Sequence, residues 1–231
     1  MQTPDRARAG GAPRLRKLVA ASASARAASS PQCELCSEPI AREHRHLLNV
    51  PAHELLCVCR ACAILFDRRE AGGAHYRLVP DGCRYVDDLQ LDDALWERLR
   101  IPVGMAFCFY SSLAERTVAL YPGPMGAAES LLEPSTWDAV LAANPVLRSM
   151  EPDVEALLVN RARGARDHWI APIDVCYRLV GLIRSTWKGL AGGQEVWSEL
   201  ERFFDDLTQC SVRIRRDGQP AARDHSRVTQ S

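Results

Sequence analysis

Apolar and polar positions along this chain change period often, so short strands and amphipathic helices are expected rather than one long uniform element. Residues 53–59 (HELLCVC) read as a strand, and residues 60–67 (RACAILFD) as a helix that ends near Ala71, Gly72 and Gly73. Farther on, residues 75–80 and 83–87 read as a hairpin around Pro80, Asp81 and Gly82. Residues 92–100 read as a helix stopped by Pro102, and residues 105–111 and 116–121 as an antiparallel pair. The PGPMG run at 122–126 predicts a rigid loop. Ser135 is placed to cap a helix carrying Trp137, Val140 and Leu141 on one face, ending at Asn144 and Pro145. Residues 154–160 and 169–172 read as strands. Two C-terminal helices have the clearest period: residues 175–186, with Asp174 as cap, and a stripe of Val196, Trp197, Leu200, Phe203, Phe204 and Leu207.

Together these elements predict an α+β protein. An N-terminal four-cysteine module of zinc-ribbon or treble-clef type (32–73) precedes a mixed α+β domain (74–210) with antiparallel hairpins and two C-terminal helices. Residues 1–31 and 211–231 read as disordered basic tails. The 47% hydrophobic and 25% charged content is ordinary for a globular protein. No run approaches the length of a membrane span. The basic start lacks a long apolar run behind its arginines, so export is not expected. Lys plus Arg and Asp plus Glu both number 29, but the tails carry +5 and +3, leaving about −8 on the body. An acidic body disfavours nucleic acid.

Nine cysteines are unevenly spread, with five at 33, 36, 57, 59 and 62. Without a secretory signal, this crowding points to a reducing cytoplasm and a metal site rather than a disulfide framework. Cys33/Cys36 and Cys59/Cys62 are two CxxC turns, each able to aim both sulfurs at one point. A module of this size buries too little apolar area to fold alone, and structural zinc supplies the missing stability. The same four thiolates would also suit iron, and a dithiol redox pair is a further reading. Cys57 is an alternative ligand in place of Cys59, or a packed small hydrophobe.

Other clusters carry less. His44, His46 and His53 with Asn49 resemble the ββα-metal nucleases, but the segment between the cysteine pairs is short and solvated hairpin histidines explain them as well. Arg161, Arg163, Arg166 and His168 crowd one inter-strand loop, which could grip an anion or a partner or be solvated. Trp96, Trp137, Trp187 and Trp197 fall on apolar helix faces. Cys83, Cys108, Cys176 and Cys210 read as buried thiols. No phosphate-binding loop, nucleophile elbow or dinucleotide fingerprint occurs.

The segments CELC, LLCVCRACAILFD, YRLVPD, LDDALWERLRIPV, YPGPMGAAES, PDVEALLVNR and APIDVCYRLVGLIRSTWKGL resemble an uncharacterised family of actinobacterial proteins. The likeness runs from about 33 to 209 and includes the cysteines at 33, 36, 57, 59 and 62. Members are typically encoded beside uptake nickel–iron hydrogenases. The resemblance therefore implies an accessory role, with a hydrogenase subunit or maturation factor as partner, and supplies no catalytic residue.

Overall fold

A computed structural model describes residues 31–67, 73, 75–187 and 193–221. The expected N-terminal tail lies almost wholly outside these residues, as do Ala71 and Gly72 and the chain beyond 221. What is described is α+β, with two sheets that are antiparallel apart from one edge pairing.

The smaller sheet holds β1 (Arg45–Asn49), β2 (Glu54–Val58) and β3 (Tyr76–Leu78) in the order β2-β1-β3. Helix α1 (Arg60–Leu65) leaves directly from β2. The larger sheet holds β4 (Arg84–Val86), β5 (Met105–Ser111), β6 (Arg116–Gly123), β7 (Gly126–Ser130), β8 (Glu155–Asn160), β9 (Asp167–Pro172) and β10 (Val212–Ile214). Its order is β10-β4-β9-β8-β5-β6-β7. Helices α2 (Asp93–Arg98), α3 (Pro134–Ala143), α4 (Ile173–Thr186) and α5 (Gly193–Cys210), with short 3-10 turns at Pro145–Ser149 and Ala162–Gly164, complete the described elements.

The period-2 rule sorts the larger sheet into two cores. Phe107, Ala156, Leu158, Trp169 and Ala171 face Leu179 and Ile183 of α4 and Leu200, Phe204 and Leu207 of α5. Their neighbours Cys108, Leu157, Val159 and Ile170 face Trp137 and Val140 of α3, with Leu99 and Leu147. The sheet is thus covered on both sides, and every residue of β8 is buried. That explains why residues 156–159 of β8 are all apolar, without the alternation of a half-exposed strand.

The structure departs from the sequence reading at several points. Residues 75–80 and 83–87 do not pair with each other: β3 pairs with β1, and β4 with β9 and β10. The physical reason is that they serve different cores, since Leu78 packs among the cysteines while Val86 packs with Trp137 and Leu147. Residues 211–231 were expected to be disordered, yet β10 runs parallel to β4 and buries Ile214. Backbone bonds from Val212 N to Cys83 O and from Asp87 N to Ile214 O, each 2.9 Å, hold it there. Ser135 does not cap α3, which begins on Pro134 after an N-cap Glu133 without a side-chain bond. Asp174 sits inside the first turn of α4 rather than before it. The 122–126 loop is largely strand, a tight β6–β7 turn in which Gly126 takes φ 122°.

Strand β1 joins the two parts of the molecule. Leu47 turns toward the cysteines, whereas Leu48, Val50 and Val79 enter the same core as Phe107 and Trp169. Polar links reinforce the contact: Arg77 Nε lies 3.2 Å from Asp153 Oδ2, and Arg77 Nη1 donates to Pro152 O at 3.3 Å.

Candidate metal centre

The two cysteine pairs approach each other because two different local structures present them. At the first, Cys33 O accepts the Ser37 amide at 2.8 Å, and Ser37 takes φ 63° to close the turn. At the second, Cys59 is the N-cap of α1 and its sulfur accepts the Cys62 amide at 3.4 Å. The hairpin β1–β2 brings one turn against the other, fixed by Glu34 N donating to Cys57 O at 2.9 Å. As a result the sulfurs of Cys33, Cys36, Cys59 and Cys62 all lie within 4.8 Å of one another. A tetrahedron of metal–sulfur bonds near 2.3 Å has sulfur–sulfur edges of about 3.8 Å. Cys36 Sγ and Cys59 Sγ stand 3.6 Å apart, and all four cysteines are free thiols.

The electrostatics of the cluster differ from one sulfur to the next. Burial resists ionisation of Cys33, but the amides of Cys59, Cys36 and Leu35 outweigh it and draw the thiol down to about 6. Burial and the neighbouring cysteines push Cys62 up to about 12. Charge is thus favoured on Cys33 and opposed on Cys62, a conflict that a divalent cation between them would remove. The donor set, spacing and lack of disulfides therefore fit a thiolate-bound metal ion. Ile40, Leu47, Val58 and Ala63 wrap the sulfurs in a small apolar core. Cys36 is the exposed member.

Other candidate residues fall elsewhere. The sulfur of Cys57 stands not with the four but with ring nitrogens of His44 and His46. His53 lies in the turn between β1 and β2 with φ 52°, beside Asn49 at the opposite end of the hairpin, so the three histidines do not converge. In the arginine loop, Arg161 and Arg166 both pair with Asp93, and Arg163 pairs with Glu201 at 3.2 Å. Arg161 also lies over Trp96 and Arg163 over Trp197, at 5.2 and 4.7 Å from the ring centres. Each of the three guanidinium groups thus has a carboxylate of the chain itself as a partner, with Asp93 shared by two of them. His168 is not in the loop but on β9, where burial and then Arg166 lower its pKa to about 4. Cys83, Cys108 and Cys176 are buried thiols as expected, whereas Cys210 is exposed.

Sequence reading missed the grouping of His46 with Cys57 and the role of Asp174. The signal was present in the alternation of His44 and His46 and in the hairpin register, which sets His46 opposite Cys57. Asp174 lies 128 residues away and only the fold delivers it.

The chain's relationships agree with this distribution. A family's sequence model matches residues 32–211, from the first cysteine turn to the end of α5. The chain belongs to the Family of unknown function (DUF5947). No curated protein and no solved structure matches it. The span matched by DUF5947 takes in both cysteine pairs, His44, His46, Cys57 and Asp174. Among the described residues, no helix is long and apolar enough to cross a membrane.

Proposed function

We propose that this chain is a non-catalytic, zinc-binding accessory protein of the cytoplasm, in which the metal orders a docking module for a protein partner. The observation that carries it is the convergence of four sulfurs within 4.8 Å. Cys33, Cys36, Cys59 and Cys62 are the ligands in this reading, and zinc is favoured because four thiolates in a closed arrangement suit a structural ion. The order of turn, hairpin and helix, with the second pair opening the helix, supports a treble-clef description. Ile64 and Leu65 on α1 support docking, being 65% and 66% exposed on a helix that the metal would anchor. The resemblance noted in the sequence suggests the setting: assembly or operation of nickel–iron hydrogenases, with a subunit or maturation factor as partner.

Protein purified without air and dialysed against a mild chelator should retain one zinc per chain, and Cys36→Ser should lose it. Retention of no metal would remove the central claim. Capture of host proteins should be abolished by Ile64→Glu with Leu65→Glu while the zinc stays bound. An iron reading on the same sulfurs is kept alive by the exposure of Cys36, which would give electrons a route to solvent. Visible thiolate-to-iron absorption in the anaerobic protein would decide for it.

A further inference from the structure

His44 and His46 flank one residue at the start of β1, so their side chains leave the sheet on the same side. Cys57 is the direct cross-strand partner of His46. One ring nitrogen from each histidine and the Cys57 sulfur lie within 4.8 Å of one another, and the two rings meet edge to face at 4.9 Å. Proximity of this kind would mean little without control of the imidazole tautomers, and the structure supplies that control twice.

His44 Nδ1 lies 3.0 Å from the carbonyl oxygens of Ala41 and Arg42. A carbonyl only accepts, so Nδ1 must carry the hydrogen and Nε2 must present its lone pair. His46 Nδ1 lies 2.9 Å from Asp174 Oδ2, and a carboxylate imposes the same tautomer. A carboxylate behind an imidazole is also the usual outer partner of a metal-bound histidine, where it orients the ring and raises its basicity. The lone pair of His44 has nothing to bind: His44 Nε2 is shut off from solvent and has no hydrogen-bond partner. Leaving such an atom unsatisfied is costly, and a cation would satisfy it.

We infer that His44 Nε2, His46 Nε2 and Cys57 Sγ form a second metal site, separate from the four-cysteine centre, for a divalent cation of the zinc class. Two imidazoles and a thiolate suit zinc, cobalt or a similar borderline ion and disfavour magnesium and calcium, which prefer oxygen. Three protein ligands leave a fourth position for water or an incoming group. On binding, the Cys57 sulfur–hydrogen bond is exchanged for a sulfur–metal bond and the proton leaves to solvent. Asp174 acts as a positioning residue. Because it belongs to α4 and the ligands to the small sheet, the ion would also fasten the cysteine module to the larger sheet's helical layer.

Cobalt(II) titration of the full chain, after removal of bound metal under anaerobic conditions, tests the site. Two equivalents should bind, and the weaker should show absorption of a cobalt ion with one thiolate rather than four. Cys57→Ser and His46→Ala should each abolish the weaker equivalent and leave the stronger unchanged. Asp174→Ala should weaken the second equivalent about 10–100-fold with no effect on the first, and Asp174→Asn, which keeps an acceptor, should recover part of the loss. Should Cys57→Ser fail to fold, as judged by its near-ultraviolet circular dichroism, His44→Ala carries the same test. A single equivalent in the unaltered chain overturns the inference, as does a second equivalent that survives these variants. Cys36→Ser removes the stronger equivalent instead, so failure of the four-cysteine reading gives a different pattern.

Discussion

His168 shows how much one residue's meaning depends on where the backbone puts it. The sequence sets it among arginines, where it reads as part of an anion grip. The strand instead begins at Asp167, and alternation carries the next side chain inside, opposite Val159. The buried imidazole is only 6% exposed, its Nε2 has no partner, and its pKa falls to about 4. The folded state therefore keeps His168 neutral, whereas the unfolded chain protonates it near 6.5. As pH falls from about 6.5 to about 4, the unfolded state gains a proton that the folded state refuses, and about 3 kcal/mol of stability is lost. His168→Leu should remove that contribution. Urea midpoints at pH 7 and pH 4.5 should draw apart for the native chain by more than for the variant, and parallel profiles would refute the assignment. A sequence carries the histidine but not its dielectric surroundings.

At the scale of elements, local pattern sufficed where a segment's partners are its neighbours. Strands β5 and β6 pair antiparallel as two strand-forming runs joined by a short polar turn should, and α5 buries Val196, Leu200, Phe204 and Leu207 from its expected stripe. Pattern failed where partners are remote, as with β3 and β4, whose apolar residues belong to different cores. Gly104 illustrates a close approach that composition cannot announce. It precedes β5, and a Cβ there would lie 2.9 Å from the Cα and N of Ala162, while Arg161 N donates to Gly104 O at 2.6 Å. Gly104→Ala must therefore push the 161–164 segment outward and disturb the pairs that Arg161 and Arg163 make. A loss of about 1–3 kcal/mol is expected in chemical denaturation, the usual range for overpacking. An unaltered midpoint would show that the segment yields freely.

Across the whole molecule, the question is whether the cysteine module and the rest unfold together. Its sequence suggests separate units, so that Cys36→Ser would unfold residues 33–70 and spare the later domain. The packing points the other way, because Leu48, Val50 and Val79 share a core with Phe107, Leu158 and Trp169. All five tryptophans lie at or beyond residue 96, so their fluorescence reports on the larger sheet and its helices. A strong chelator, by removing the ion proposed at the four cysteines, should lower the urea midpoint seen by tryptophan and preserve a single transition. An unchanged tryptophan profile would show that the module melts by itself. Structural zinc is worth an apparent 10–16 kcal/mol or so in isolated modules, enough for the coupling to be plain.

Local spacing along the chain was enough to foretell the grouping of Cys33, Cys36, Cys59 and Cys62, the α+β character and the amphipathic C-terminal helix, because CxxC turns and helical period are short-range patterns. It took the assembled fold to establish that β3 completes the small sheet, that β10 extends the large one, that the loop arginines meet acidic residues far along the chain, and that Asp174 stands behind His46. Those outcomes depend on which surfaces exclude water together. That is a property of the assembled fold, and a linear pattern does not contain it.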